Sequence, residues 1–192
     1  FGHRSEHQSL FTDVAASVGP LRHAARHLER WMRPEKRKVG PFPLNLLGAK
    51  ARVEFQPLGV VGVISPWNFP VNLTFTPLAG ILAAGNRCMI KPSEYTAATS
   101  AVLAEIFPTA FDPLEIAVVT GGAQTGADFA SLPFDHLLFT GATSVARHVM
   151  RAAADNLVPL TLELGGKSPV VVGRSVDMQP AVDSIMTGKL LN

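Results

Sequence analysis

Four short segments hold the residue types that could bind a nucleotide or move protons. They are Ser65-Pro66-Trp67-Asn68-Phe69-Pro70, Lys91-Pro92-Ser93-Glu94, Thr140-Gly141-Ala142-Thr143-Ser144-Val145-Ala146 and Glu163-Leu164-Gly165-Gly166-Lys167-Ser168. Gly141-x-Thr143-x-x-Ala146 is a cousin of the glycine-rich dinucleotide fingerprint, although an ordinary strand-to-helix turn reads the same way. Glu94 could simply favour a helix start through its charge. Gly165-Gly166-Lys167-Ser168 looks like the tail of a phosphate-binding P-loop. That motif needs glycine where Thr161 stands, and Pro169 stops the helix that should follow, so a P-loop is rejected. Asn72-Leu73-Thr74 fits a glycosylation sequon, which means nothing without a secretory signal. Cys88 is the only thiol. It lies in a short apolar stretch between Arg87 and Met89, the setting of a buried structural cysteine, whereas an activated one needs exposure and positive surroundings. No metal site is expected.

The elements that must gather these segments begin near residue 59. Val60 to Ile64 is an apolar, β-rich run. A helical pattern follows over 71–84, closed by Gly85-Asn86. Strands are expected over 87–91, 116–120, 136–139, 160–164 and 170–172, and helices over 97–106, 122–130, 145–154 and 182–191. Strand and helix alternate, and the strands read as apolar on both faces. The fold class is therefore α/β, with a Rossmann-like parallel sheet covered by helices on each side. In such sheets ligands bind beyond the carboxyl ends of the strands, where helix N-termini offer unpaired N–H groups. Each of the four segments sits at or just past a strand end. Upstream, Phe11, Val14, Val18, Leu21, Ala25 and Leu28 fall on one helical face. Gly19-Pro20 predicts a break into two helices, with Pro20 opening the second. Arg33 to Lys38 and the prolines of Gly40-Pro41-Phe42-Pro43 predict an exposed connection. Ala51, Val53 and Phe55 alternate with Arg52, Glu54 and Gln56, which predicts a strand with one wet face.

Composition narrows the class of protein. Of 192 residues, 47% are hydrophobic and 17% charged, the balance of a globular chain with one good-sized domain or one and part of another. A net charge of +2 is too small to imply a nucleic-acid partner. The basic run from Arg22 to Lys38 reads as a solvated helix face and connector. His136 reads as structural. No membrane partner is expected, because Asn68, Arg87 and Lys91 interrupt the most apolar region. Residues 1–30 lack the apolar segment of a signal peptide, and one cysteine suits a reducing compartment, so a cytoplasmic location is expected. The chain begins at Phe1, which implies that the natural start is missing.

Taken together and in order, Pro66-Trp67-Asn68-Phe69-Pro70, Lys91-Pro92-Ser93-Glu94, Phe139-Thr140-Gly141 and Leu162-Glu163-Leu164-Gly165-Gly166-Lys167-Ser168-Pro169 resemble the signature segments of the aldehyde dehydrogenase superfamily. The resemblance covers roughly residues 11–192. Trp31-Met32-Arg33-Pro34 and Ala49-Lys50-Ala51-Arg52-Val53-Glu54 resemble its class 3-like branch, bacterial coniferyl aldehyde dehydrogenases in particular. The resemblance implies a cofactor-binding domain over 1–40 and 58–162, an oligomerisation arm over 41–57 and the start of a catalytic domain over 163–192. It implies NAD(P)-dependent oxidation of an aldehyde, such as the aromatic coniferyl aldehyde, to the acid through a cysteine thiohemiacetal and thioester. The position of Asn68 then donates its amide N–H to the developing oxyanion, a task for a neutral, fixed donor. The position of Glu163 then acts as general base, helped by partial desolvation at a strand end. Lys91 and Glu94, with Ser93 between them, match the contacts to the adenine ribose. The Glu94 charge favours NAD over NADP, a preference that Lys91 softens, so NADP stays open. Thr140, Gly141 and the helix from Thr143 match the pyrophosphate site. Ile64, Ser65, Pro66, Trp67, Gly121 and Val145 match the pocket wall, and Leu164 and Gly165 the nicotinamide end. Ala142 and Ala146 depart from the serine and glycine of many relatives, which should weaken cofactor affinity modestly.

Thr187-Gly188-Lys189-Leu190-Leu191-Asn192 resembles the segment that leads into the family's cysteine nucleophile. The chain is then expected to be less than half of a dehydrogenase, inactive alone, whose parent takes a small-molecule aldehyde and forms a dimer or tetramer. A free-standing nucleotide-binding module without catalysis, and a remnant that binds nothing, are the alternatives.

Overall fold

The computed structural model describes residues 4–40, 42–44 and 46–191. The readings that touch Phe1, Pro41 and Asn192 lie outside those residues. The chain opens with α1 (Glu6–Gln8), a π-helical stretch (Ser9–Ala15) and α2 (Ala16–Trp31). The break predicted at Gly19-Pro20 does not occur, and Pro20 lies inside α2. A proline removes one ladder bond and crowds the turn before it; here the wide π turns come just upstream, where a helix most readily absorbs that strain. Residues 33–38, expected as a bare connection, contain β1 (Glu35–Arg37), which pairs antiparallel with β2 (Ala51–Val53). All of β1 is exposed, so no apolar pattern announced it.

The α/β expectation holds from residue 59 onward. In chain order come β3 (Val60–Ile64), α3 (Asn72–Ala83), β4 (Arg87–Lys91), a 3-10 turn (Glu94–Thr96), α4 (Ala97–Ala110), β5 (Ile116–Val118) and α5 (Ala123–Ala130). They are followed by β6 (His136–Gly141), α6 (Thr143–Ala154), β7 (Leu160–Leu164) and α7 (Met178–Leu190). Five parallel strands form one sheet in the order β5-β4-β3-β6-β7.

The pleat divides the core in two. Val61 and Val63 of β3, Cys88 and Ile90 of β4 and Ile116 of β5 pack with Leu78 and Ile81 of α3 and Leu103 and Phe107 of α4. On the other face Leu137 and Phe139 of β6 pack with Phe129 of α5 and Ala146, Val149 and Ala153 of α6. Gly62 is required on this second face, because a Cβ there would stand 2.7 Å from Phe134 and 2.8 Å from Leu137. The α2 helix lies against α3 as an outer layer.

Two strand expectations change. The β7 strand is not apolar on both faces: Leu160, Leu162 and Leu164 are half-buried, while Thr161 and Glu163 between them are exposed. It is the sheet's edge, and its leucines pack on the α6 side. Val170 to Val172 form no strand, and Val171 is 94% exposed. A strand needs a partner for its backbone groups, and among the described residues none pairs with this segment.

Candidate functional site

The order of the strands fixes where a ligand can enter. From β3 the chain moves outward through α3, β4, α4 and β5, then returns through α5 to place β6 on the other side of β3. The connections leaving β3 and β6 therefore run to opposite faces, the arrangement that in such sheets places a ligand crevice beyond the carboxyl ends of the two strands. The β3 connection holds residues 65–71 and enters α3. The β6 connection is the single residue Ala142, followed by α6.

Asn68 lies in the first of these connections and is half-buried. Its main-chain carbonyl accepts a hydrogen bond of 2.9 Å from Arg4 Nη1. Glu163 lies near the end of β7, beside Thr140 in the register. The Glu163 side chain belongs to the face that α3 covers. Val63, Leu138 and Thr161 stand side by side across the sheet, and Glu163 is two residues beyond Thr161. The connection that carries Asn68 and the end of β7 that carries Glu163 lie at the same end of the sheet, with β6 between their strands. Glu163 is exposed, so the desolvation expected for it is not supplied by the described residues.

The other face carries the Lys91 side chain and the start of α6. Lys91 ends β4 with a side chain only 4% exposed, and its Nζ donates to Glu94 Oε2 at 2.7 Å. This bond is the first cause that holds the Glu94 carboxyl below its ordinary range, and the Lys91 charge adds to it. The Lys91 stem passes under α5, within 3.8 Å of where a Gly126 Cβ would stand. Gly141 ends β6, and the space a Cβ would take there is filled by the Phe139 ring, 2.7 Å away. The α6 helix then starts at exposed Thr143, with no side chain capping it from Ala142. The Val145 N–H already turns back to the Ala142 carbonyl at 3.0 Å, so the donors left at this helix start are those of Thr143 and Ser144. Thr140 and Gly141 are half-buried and Val145 is exposed.

Several predicted site residues are turned inward. Ser65 is buried, its N–H donates to Lys91 O at 3.2 Å, and its hydroxyl is bonded at 2.7 Å to that of Thr74. Ser93 is buried and accepts the Tyr95 N–H as the cap of the 3-10 turn. Ile64 packs into the core with Phe139 and Leu162. These three shape the wall from behind. Pro66 is half-buried and Trp67 exposed on the rim. Gly121 is half-buried between β5 and α5, where any side chain would collide with Thr125. Leu164 is half-buried and Gly165 exposed at the end of β7. A cleft of about 1120 Å³ does exist, but at the other end of the sheet, among Trp31, Phe55, Leu82 and Gly85.

Sequence reasoning missed Arg4 and Asp13. Asp13 is buried and Arg4 half-buried next to the Asn68 connection. Arg4 preceded the first recognisable pattern, and Asp13 sat among apolar helix positions with nothing to mark it as paired.

The sequence profile of the aldehyde dehydrogenase family matches residues 4–192. The "Probable coniferyl aldehyde dehydrogenase" of Caulobacter vibrioides is 64% identical over 192 residues, all of this chain and 40% of that protein. A substrate-bound structure of Staphylococcus aureus AldH superposes with a TM-score of 0.88 at 36% identity, over 95% of this chain and 39% of that one. A Mycobacterium tuberculosis aldehyde dehydrogenase complexed with NAD+ superposes with a TM-score of 0.75 at 36% identity, over 87% of this chain and 34% of that one. The chain thus spans about 40% of the length of the curated relative it matches.

Proposed function

The chain belongs to the aldehyde dehydrogenase family, and from that premise we propose that it forms the dinucleotide-binding part of an enzyme that oxidises an aldehyde to its acid with NAD. What supports this reading is the strand order, which sends the β3 and β6 connections to opposite faces and brings the Asn68 connection, the ends of β4 and β7 and the α6 start to one end of the sheet. The residues there fit a dinucleotide. Glu94 is ionised and half-turned to solvent, suited to accept from ribose hydroxyls and to repel a 2′-phosphate. Thr143 and Ser144 offer N–H groups to a pyrophosphate, with only the Ala142 methyl between Gly141 and the helix start. Ile64, Ser65, Pro66, Trp67, Ser93, Gly121, Thr140 and Val145 complete the wall, with Leu164 and Gly165 at the nicotinamide end. When bound, the cofactor supplies the oxidising power.

The chain's own residues do the rest. The Asn68 side chain donates an N–H to the substrate oxygen as charge develops on it. Glu163 takes a proton from the water that releases the acid. The thiol nucleophile of such an oxidation is not Cys88, which is 3% exposed, with burial pushing its thiol up to about 12. The name of the Caulobacter relative supports an aromatic aldehyde as substrate. The same reading divides the chain into cofactor-binding residues 1–40 and 58–162, an oligomerisation arm at 41–57 and the start of a catalytic domain at 163–192. It expects a homo-oligomer in the cytoplasm.

The test uses a full-length protein that carries this chain. Asn68→Ala should lower kcat by about 10² to 10³-fold, the effect of losing one such donor. Glu163→Gln should slow acid release far more than it weakens NAD binding. A rate within a few-fold of the parent for Asn68→Ala removes that residue from the chemistry, and calorimetry that detects no NAD binding removes the nucleotide site.

A further inference from the structure

A buried ion pair anchors the connection that carries Asn68. Arg4 Nη1 lies 3.1 Å from Asp13 Oδ2, with side chains 9% and 1% exposed. The same Nη1 donates to the Asn68 carbonyl at 2.9 Å, Nη2 donates to Thr12 Oγ1 at 2.5 Å, and the guanidinium lies 5.1 Å from the centre of the Phe69 ring. The second Asp13 oxygen, Oδ1, accepts the Asn72 N–H at 2.5 Å. The two charged groups therefore grip the main chain at Asn68, and again at Asn72 where α3 begins. The inner side of the connection is held separately by Thr74, whose hydroxyl reaches Ser65 Oγ at 2.7 Å and Pro70 O at 2.6 Å.

Such a pair adds little to stability, because the loss of hydration offsets most of the attraction between the charges. What it gives is direction. A guanidinium is a rigid fork, and a carboxylate has two oxygens at fixed separation. Here one prong and one oxygen bind each other, and further contacts go to Thr12, the Asn68 carbonyl and the Asn72 N–H. An oxyanion donor must be held within fractions of an ångström of its place before the reaction begins. We propose that Arg4 and Asp13 are positioning residues that set the orientation of the Asn68 amide, an inference that rests on the reading of Asn68 as the oxyanion donor. Neither touches substrate; both act through the backbone of residues 68–72.

Arg4→Lys and Asp13→Asn, each alone and combined with Asn68→Ala, test this in a full-length protein that carries the chain. Arg4→Lys keeps the charge and loses the fork. Asp13→Asn keeps an acceptor for Asn72 and loses the charge. Each should lower kcat by about 10- to 100-fold, the scale of an ångström's misplacement, and leave KM for NAD within about twofold, since Lys91, Glu94 and the α6 start are not among the groups that Arg4 and Asp13 grip. Hydrogen exchange at the Asn72 amide should quicken by about tenfold in Asp13→Asn. In the Asn68→Ala background neither change should slow kcat further, because the group being positioned is gone. Losses that multiply with Asn68→Ala, or kcat unaltered by both single changes, overturn the positioning role and leave the Asn68 reading intact. An Asn68→Ala enzyme of normal rate overturns both. Should Asp13→Asn fail to fold, Arg4→Lys carries the same comparison alone.

Discussion

Gly141 is where packing and the proposed cofactor site meet, and replacing it with alanine tests both. Its φ is not in the left-handed region, so the backbone itself tolerates alanine. In open space the change would stabilise by about 0.4–1 kcal/mol through the unfolded chain. The surroundings reverse the sign. The new Cβ would stand 2.7 Å from Phe139 Cζ and 3.1 Å from Cε1. The Phe139 ring is 4% exposed, in the cluster built by Phe129, Ala146 and Val149, so it has no free volume to turn into. Forcing a methyl group into such a core costs about 1–3 kcal/mol. The net expectation is destabilisation of about 1–2 kcal/mol. At about 2–4 °C per kcal/mol for a chain of this size, the melting temperature should fall by several degrees. Phe139→Leu removes the clashing ring edge, so the double change should recover part of the loss, with a favourable coupling of about 0.5 kcal/mol or more. Urea unfolding of the four proteins in the cycle measures this. NAD affinity by calorimetry should weaken in Gly141→Ala and return in the double change, because the turn into α6 moves with the ring. A Gly141→Ala protein as stable as its parent, or zero coupling to Phe139, would refute the reasoning.

Three further outcomes follow from the ionisable and capping groups. Cys88, with its thiol pushed up to about 12 by burial, should resist iodoacetamide at pH 8 in the folded protein and react once urea unfolds it; labelling at the unfolded rate would contradict its burial. Because its folded value lies above the unfolded one, its contribution to stability is complete below the ordinary thiol range and is lost as pH rises towards 12. Glu94 is shifted the other way by Lys91, so its contribution is present above the ordinary carboxylate range and fades as pH falls through its lowered value. Carbon-detected NMR titration should place Glu94 below ordinary glutamates, and Lys91→Met should raise it; no change on Lys91→Met would sink the pairing. Asn86 Oδ1 accepts both Leu58 N–H at 2.6 Å and Gly59 N–H at 3.0 Å ahead of β3. Asn86→Ala should then cost about 1–3 kcal/mol in urea unfolding, with Asn86→Asp recovering part of it.

The parts of the fold that were legible in the sequence are those whose signal is local. The strand at β3 announces itself as five apolar residues after Gly59, and α3 closes at the Gly85 that the pattern marked. The helix ends were less legible. Pro108 lies inside α4, which runs to Ala110 and not 106, because only the N–H at one position is lost and the last turn needs few bonds. The β1 strand has no apolar face and exists only because β2 offers partners. Val170 to Val172 show the converse, a strand-like run with no partner among the described residues. The site splits in the same way. The segments holding Asn68, Lys91, Glu94, Gly141 and Glu163 were visible as motifs. That Ser65 and Ser93 spend their hydroxyls inside the protein depended on Thr74 and Tyr95. The Arg4–Asp13 pair could not be read at all, since its meaning lies in carbonyl and N–H groups more than fifty residues away.

The two faces of the sheet explain how these positions can change independently. Residues one apart on a strand point to opposite faces, so Ile90 packs against α3 and α4 while Lys91 passes under α5. On β7 Leu162 and Leu164 pack on the α6 side while Glu163 points away from it. Lys91 and the α6 start therefore belong to the α5–α6 layer and Glu163 to the α3 side, while Ser65 and Thr140 of the proposed wall lie on the α3 side. Only the β3 and β6 connections touch both. A change in the α5–α6 layer should alter cofactor affinity with little effect on the oxyanion donor. A change at Arg4 or Asp13 should do the reverse. Gly141 and the residues from Ser65 to Asn68 are the places where that separation must fail, because there the two layers share one stretch of backbone.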